Sequence, residues 1–392
     1  MLLRAGSRLG AGIALTAGIV LIAANLRPAV ASVSTVLDQL GSGLGLSAAG
    51  AGVLNALPVV LFGLAAPAAP LLARRLGIER ALFLALALLT AGSLLRLGPS
   101  LVTLFAGTAV IGAAIAVANV LLPGLVKRDF PHRIGLMSGL YTTALSAAAA
   151  LSAGITVPLG EALGQGWRGS LGMWAVPAAL ALLVWIPQLR RSRGSHAGGG
   201  SGVRALLHNP RAWQFTAFMG LQSLGYHTVL AWLPSIYTSH GLSPATAGGL
   251  LSLATIVATP ITLVLPALAG RSPDQRPWIA ALTAITAAGL LGLLLAPAAL
   301  PYLWAVLIGL GMGCTFPLTL TLIALRTRDG DEATDLSTMA QSFGYVIAGL
   351  GPLAVGLLNQ ATGSWTPTVL ILLVALLPQL LTGLAAGRNR HL

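Results

Sequence analysis

Long apolar stretches of about twenty residues follow one another along the whole chain, separated by short segments that carry turns and charges. Charged residues make up only 8% of the sequence, whereas soluble domains contain about 25%. Such a chain has too little polar surface to dissolve, but each apolar stretch is long enough to cross a bilayer as a helix. The sequence therefore predicts an all-α polytopic membrane protein that is embedded in a lipid bilayer.

The apolar stretches, bounded by turn and charge clusters, predict twelve transmembrane helices. The first stretch also imitates a cleavable signal peptide, because Arg4 and Arg8 precede it and "AVAS" ends it. We interpret it as a transmembrane helix because further spans follow and Arg27-Pro28 interrupts the apolar run. The predicted helices comprise residues 11–37, 48–72, 81–97, 101–126, 134–159, 167–189, 212–239, 244–269, 277–297, 301–325, 334–359 and 365–386.

The lysines and arginines are concentrated in every second connection between the predicted helices. Of the 22 lysines and arginines, 19 lie on one side; Arg96 and Arg168 lie on the opposite side, and Arg27 lies within a helix. The positive-inside rule then predicts that both termini and the long central loop are cytoplasmic. The net charge of +13 is therefore a topology signal, and we expect no nucleic-acid partner.

A glycine- and serine-rich segment divides the chain into two related halves. We predict an N-terminal six-helix bundle (1–189), a flexible cytoplasmic linker (190–211) and a C-terminal six-helix bundle (212–392). "GLSAAGAGVLNAL" from Gly45 matches "GLSPATAGGLLSL" from Gly241 at eight of thirteen positions. "PLLARRLGIER" matches "PALAGRSPDQR" at five of eleven positions, at the same offset of 196 residues. Parallel repeats of this kind are typical of transporters that rock two bundles about a central site.

The loop between the second and third predicted helices resembles the signature of the major facilitator superfamily. "PLLARRLGIER" keeps Leu72, Gly77 and the arginines of that signature, but its usual first glycine is Pro70 and its usual aspartate is Arg74. A gating bond that depends on the aspartate therefore cannot be carried over. The candidate gating residues are the arginines that this loop and its repeat do carry: Arg74, Arg75, Arg80, Arg271 and Arg276.

A narrower resemblance extends over essentially the whole chain. "NVLLPGLVKRDFP", Leu26-Arg27, "MAQSFGY" and "DQR" are similar to the cyanate/2-nitroimidazole transporter branch of that superfamily. The resemblance implies a single-chain, monomeric transporter of a small solute in a bacterial inner membrane. It leaves open whether the solute is cyanate, a nitroimidazole or another small polar or anionic compound, and whether it is imported or exported.

Arg27 lies roughly 24 Å along the first predicted helix, too deep for its charge to reach the interface easily. The nearest carboxylate in sequence, Asp38, is eleven residues away, and Pro28 leaves the carbonyl of Ala24 without its usual helical partner. Broken helices at membrane depth are tolerated where they line a cavity. We therefore expect Arg27 and Asn25 to face a central cavity and to attract an anion or a planar polar solute. The alternative is a structural arginine that binds the carbonyls of a neighbouring helix.

Few other polar side chains lie inside the predicted spans. Gln222 and Tyr226 are four residues apart on one helical face, as are Gln341 and Tyr345, so both pairs favour cavity lining. For Asn119 a hydrogen bond between helices is favoured instead. The candidate solute-binding residues are Arg27, Asn25, Asn119, Tyr141, Gln222, Tyr226, His227, Phe316, Gln341 and Tyr345.

Proton coupling has one candidate side chain. His227 is the only histidine well inside a predicted span, whereas arginine stays protonated and cannot carry the proton. Transport is therefore expected to be uncoupled from protons or coupled through His227, unless this histidine serves only in packing.

Three classes of function remain compatible with the sequence. A secondary transporter that works by alternating access is the leading hypothesis. The chain shows no nucleotide-binding loop, and we expect no cofactor and no metal site. A transporter-like receptor that binds without translocating is the first alternative. A membrane-embedded enzyme is the least favoured, because the spans contain no Ser/His/Asp set and no cluster of metal ligands.

Overall fold

The structure is a computed structural model that describes residues 2–191 and 202–392. Within these ranges all regular secondary structure is helical, as expected from the apolar runs, and two short 3₁₀ helices cover Pro131–Arg133 and Ile186–Arg191. The α-helices are α1 (Leu2–Leu26), α2 (Pro28–Ser34), α3 (Leu37–Leu44), α4 (Ala48–Ala65), α5 (Ala68–Leu76), α6 (Ile78–Leu95), α7 (Leu101–Asp129), α8 (Ile134–Ala162), α9 (Gly166–Gly172), α10 (Ala175–Trp185), α11 (Gly202–Leu206), α12 (Pro210–Ser239), α13 (Pro244–Val257), α14 (Thr259–Arg271), α15 (Arg276–Leu295), α16 (Pro301–Arg326), α17 (Gly330–Thr362) and α18 (Thr366–Ala386).

Ten stretches of the described residues are helical, long and apolar enough to cross a membrane, and the bent pair α4–α5 raises the number to eleven. The two helices of this pair meet at 55°. The remaining predicted span corresponds to α12, which has 30 residues but carries Gln222, Ser223 and His227 within it. These polar side chains lower the mean hydropathy of α12. The helix is therefore long enough to cross a membrane but is less apolar than the other spans.

Several predicted spans consist of two helices instead of one. The first is divided at Arg27 into α1 and α2, which confirms the break expected from Pro28. The sixth is divided into α9 and α10, and the eighth into α13 and α14. Helix α3 occupies a segment for which no helix was predicted. The predicted linker contains the short helix α11, while residues 192–201 of that linker lie outside the described residues.

The chain divides into two compact units. Unit 1 comprises residues 1–125 and 140–199, and unit 2 comprises residues 126–139 and 200–392. The start of α8 therefore packs with unit 2, although it precedes the linker in sequence.

Unit 1 is built around close helix contacts that small residues allow. The ring of Trp185 on α10 is fully buried and lies against Gly18 of α1, where a Cβ atom would come within 2.7 Å of the ring. The indole nitrogen of Trp185 donates a hydrogen bond to the carbonyl of Glu79 at 2.9 Å. This tryptophan thus connects α1, α6 and α10 at one point of the unit.

Unit 2 is centred on α16, which is mostly buried within the unit, whereas most of α18 is more exposed. Helices α13 and α15 pack against α16, and α12 packs against α17 and α18. The contact between α13 and α16 is close because Gly309 faces the backbone of Ala254. Unit 2 thereby brings α12, α13, α16 and α17, which carry its candidate solute-binding residues and its pocket, into one bundle.

Candidate functional site: a broken helix and an aromatic-histidine cluster

Arg27 is the single residue between α1 and α2, and its side chain is half-buried. Its carbonyl oxygen accepts hydrogen bonds from the backbone nitrogens of Val30 at 3.0 Å and Ala31 at 2.9 Å, so the chain re-enters a helix at once. Pro28 is the first residue of α2, a position where its missing N–H costs nothing. The break therefore presents an arginine at the junction of two helices within an apolar span.

Asn25 lies just before this junction and is 5% exposed. Its side-chain nitrogen donates to the carbonyl of Leu21 at 2.8 Å, within α1 itself. The side-chain oxygen is the remaining acceptor of this amide. The proposed solute-binding role of Asn25 stays a prediction, and that oxygen is the atom best suited to it.

The remaining candidates of unit 1 are buried in long helices. Asn119 lies on α7 with 7% exposure, and Tyr141 lies on α8 with 1% exposure. Each makes polar or ring contacts inside the protein. Burial of Asn119 fits both the hydrogen bond between helices that was favoured for it and a place in a solute site. The solute-binding roles of Asn119 and Tyr141 therefore stay predictions.

In unit 2 the two predicted pairs meet around His227. The His227 ring lies edge-on to Tyr226 at a centroid distance of 5.5 Å, and edge-on to Tyr345 at 6.4 Å. Helices α12 and α17 are thus joined by three aromatic rings in T-shaped contacts, a geometry that rings favour. The sequence placed these residues on the correct helices, but only the packing of α12 on α17 brings His227 to Tyr345.

Hydrogen bonds orient the polar side chains of this cluster. Nδ1 of His227 lies 2.7 Å from the carbonyl oxygen of Ser223. A carbonyl can only accept, so Nδ1 carries the hydrogen and the neutral ring has its lone pair on Nε2. Gln222 donates to the Ser223 hydroxyl at 2.6 Å, and Gln341 donates to the Ser337 hydroxyl at 2.8 Å. Both glutamines are therefore held by bonds within their own helices.

A small pocket of about 20 Å³ lies beside this cluster within unit 2. Such a volume holds about one water molecule or a small substituent of a larger ligand. Phe316, the candidate on α16, is half-buried and is not part of the lining. The walls are mostly apolar and consist of Tyr226, Val229, Leu230, Leu251, Ala254, Thr255, Ile308, Gly309, Met312 and Gly313.

The candidate gating arginines lie at helix ends. Arg74, Arg75 and Arg80 of unit 1 are exposed, as is Arg271 of unit 2. Arg276 is less exposed and forms an ion pair with Asp274 at 3.7 Å. The roles of these five arginines in gating stay predictions.

Two buried arginines were not predicted from the sequence. The sequence placed Arg96 at the outer end of the predicted helix 81–97, but it is fully buried in unit 1 and donates to the carbonyl of Ala29 at 2.6 Å. Arg326 is 5% exposed in unit 2, and its guanidinium donates to the side chains of Asn389 and Gln275. The one available signal for Arg96 was its isolation, since it is a single charge at the end of an otherwise apolar run.

Comparison with known proteins identifies the family. The family model of the Major Facilitator Superfamily matches residues 13–352. The chain belongs to the major facilitator superfamily. The chain is 42% identical over 379 residues to the uncharacterized transporter YycB of Bacillus subtilis (strain 168), covering 96% of this chain and 94% of that protein.

Two further relatives come from Escherichia coli (strain K12). The chain is 40% identical over 382 residues to a protein named 2-nitroimidazole transporter, with 97% of each chain covered. It is 35% identical over 349 residues to the cyanate transport protein CynX, covering 88% of this chain and 90% of that protein. The resemblance to this branch of the superfamily is thereby confirmed.

Solved structures of superfamily members share the fold. FucP in the outward conformation superimposes with a TM-score of 0.74 at 15% identity, covering 93% of this chain and 97% of that chain. The proton:xylose symporter XylE, bound to 6-bromo-6-deoxy-D-glucose, gives a TM-score of 0.76 at 14% identity, with 95% and 94% covered. At these identities the likeness concerns the fold alone, and it confirms the predicted major facilitator fold.

The family and the fold together define the class of function. The chain is a multi-pass membrane protein and a secondary transporter of a small molecule, and its relatives are transporters and not enzymes. The enzyme hypothesis is therefore set aside on the strength of these relatives.

Proposed function

We propose that this protein moves a small polar or anionic solute, similar to cyanate or a nitroimidazole, across the bacterial inner membrane by alternating access. The observation that carries the proposal is the position of Arg27, which is the single residue between α1 and α2 inside an apolar span. A guanidinium presents a rigid fork of donors that matches two acceptor atoms of a planar ligand. The relatives named for 2-nitroimidazole and cyanate transport support this class of solute, since 2-nitroimidazole is a small planar polar molecule and cyanate is a small linear anion.

The orientation and oligomeric state belong to the same proposal. Both termini lie in the cytoplasm because the basic connections concentrate on that side. The protein acts as a monomer, since each chain carries both halves of the repeat, and it binds no nucleic acid. The exposed gating arginines of the signature loop and of its repeat then lie on the cytoplasmic side, where they would meet anionic lipid headgroups or acidic partners of the gate.

Transport by the purified protein in liposomes tests the proposal. Vesicles preloaded with unlabelled 2-nitroimidazole or cyanate should accumulate the radiolabelled solute by exchange, and vesicles with Arg27→Ala protein should not. Exchange is chosen because it requires translocation but no energy source. Saturable binding of either solute without exchange would instead support a receptor, and the absence of both binding and exchange for these solutes would remove the proposed substrate class.

Substitution of His227 by glutamine tests proton coupling. If wild-type transport responds to a pH gradient, we expect His227→Gln to abolish the response and to retain exchange, because glutamine can hydrogen-bond but cannot gain a proton. The measurement is uptake with and without an imposed gradient. His240→Gln is the matched control, since Nδ1 of His240 lies 2.8 Å from the carbonyl of Ile236, the same spacing at the end of α12.

The outcomes separate the two forms of the hypothesis. A full gradient response in His227→Gln would exclude coupling through this residue. If uptake by the wild-type protein does not respond to the pH gradient, transport is uncoupled from protons.

A further inference from the structure

Arg96 follows the last residue of α6 and is among the largest fully buried side chains of the protein. A buried guanidinium loses its hydration, so its position requires compensating contacts. Nη1 donates to the carbonyl of Ala29 at 2.6 Å. Among the described residues, Nε and Nη2 have no hydrogen-bond partner, and no ion pair involving Arg96 is formed. The bond to Ala29 is therefore the principal polar contact of this cation.

The path of the Arg96 side chain depends on a glycine of the next helix. A Cβ atom at Gly107 of α7 would come within 2.7 Å of Cγ of Arg96 and within 2.8 Å of its backbone nitrogen. Gly107 thus leaves the space through which the side chain passes from the end of α6 towards α2. The side chain is held by packing along its stem and by one strong hydrogen bond at its head.

Ala29 lies in the first turn of α2, two residues after Arg27. Helix α2 has only seven residues and is separated from α1 by the break, so its own backbone bonds do not fix its direction relative to α1. Contacts with neighbouring helices must do so, and α2 packs on α4 and α9. The bond from Arg96 adds a charged, directional link at the turn that follows Arg27.

We propose that Arg96 is a positioning residue, which orients α2 through the carbonyl of Ala29 and thereby sets the direction of the Arg27 guanidinium towards the solute. The inference rests on the proposed function, since it requires Arg27 to bind the solute. Arg96 itself does not touch the solute. Its effect should therefore appear in solute affinity and should depend on the presence of arginine at position 27.

Three variants of the full-length protein test this role, with the affinity for 2-nitroimidazole and for cyanate and the melting temperature measured on the same samples. Arg96→Met should weaken binding by about tenfold or more, because the hydrogen bond to Ala29 is lost. Its melting temperature should stay the same or rise, because the costly buried charge is gone. Arg96→Lys should stay within about threefold of wild type, since one ammonium donor suffices for one carbonyl. Arg168→Met is the control, because Arg168 is exposed and donates to Leu97 instead.

A double-mutant cycle separates positioning from plain structural support. In an Arg27→Lys background, Arg96→Met should change the weak remaining affinity little, because the planar fork that Arg96 orients is already absent. Wild-type affinity in Arg96→Met would overturn the inference, as would a loss that is fully additive with Arg27→Lys. If Arg96→Met does not fold, Arg96→Gln takes its place, because its shorter side chain cannot reach Ala29. Wild-type affinity in Arg27→Ala would instead refute the proposed function.

Discussion

Arg27→Ala protein is expected to fold normally and to bind neither cyanate nor 2-nitroimidazole. Removing a costly charge from an apolar span can leave the bundle unchanged or even stabilise it. The solute, in contrast, loses the guanidinium that offers it paired donors. Ligand affinity and melting temperature, measured on the same purified protein, show both effects. Arg168→Ala is the matched control, because it removes an exposed arginine of the same unit.

Arg27→Lys adds a second test of the same site. An ammonium keeps the charge but loses the planar fork, so binding should largely fail. Normal affinity in this variant would reduce the role of Arg27 to its charge alone. If Arg27 is instead a structural arginine, Arg27→Ala should lower the melting temperature and the yield of folded protein, because the groups it binds are left unpaired. Wild-type affinity in Arg27→Ala would exclude it as the anchor of the solute.

The helix break at Arg27 could be predicted because its cause is local. Proline lacks the N–H that would bond to the carbonyl of the preceding turn, so Arg27-Pro28 is enough to predict the interruption. The apolar runs were predictable for a similar reason, since a bilayer imposes one length on every span. The division of other spans into α4–α5 and α13–α14 was missed because these bends have no comparably strong signal: Pro67 and Pro260 lie close to them, but prolines also occur within unbroken helices such as α7 and α16.

The burial of Arg96 could not be predicted, because it depends on contacts between residues far apart in sequence. The positive-inside rule treats an arginine at the end of a span as part of a connection. Here Gly107 opens a path for the side chain, and Ala29, 67 residues away, supplies the acceptor. Neither residue carries a recognisable signal by itself. The same holds for Arg326, whose partners Gln275 and Asn389 come from two other segments of unit 2.

Helical spacing predicts only part of the arrangement of the candidate residues of unit 2. A separation of four residues places Gln222 and Tyr226 on one face, as does the separation of Gln341 and Tyr345. Spacing does not determine which faces of two helices meet. The contact of His227 with Tyr345 follows from the packing of α12 on α17, and the bond of His227 to Ser223 sets its tautomer. The chemistry of this cluster therefore became clear only from the structure.

Gly309→Ala is expected to destabilise unit 2 strongly. A Cβ atom at Gly309 would come within 2.7 Å of backbone atoms of Ala254, so α16 and α13 would have to separate. Overpacking of this kind costs about 1–3 kcal/mol, and more where backbone atoms must move. Gly249→Ala on α13 is the matched control, because a Cβ atom there meets nothing within 4 Å. It should be neutral or slightly stabilising, since alanine is the better helix former.

The measurement is the melting temperature of both variants, with solute affinity determined on the folded fraction. Gly309 and Ala254 line the same pocket as Tyr226, so separating their helices should also alter the pocket and weaken binding. A melting temperature of Gly309→Ala equal to that of Gly249→Ala would show that α13 and α16 do not pack as closely as described. A lower melting temperature with unchanged affinity would show that the close contact supports the bundle, while the pocket beside Tyr226 takes no part in binding the solute.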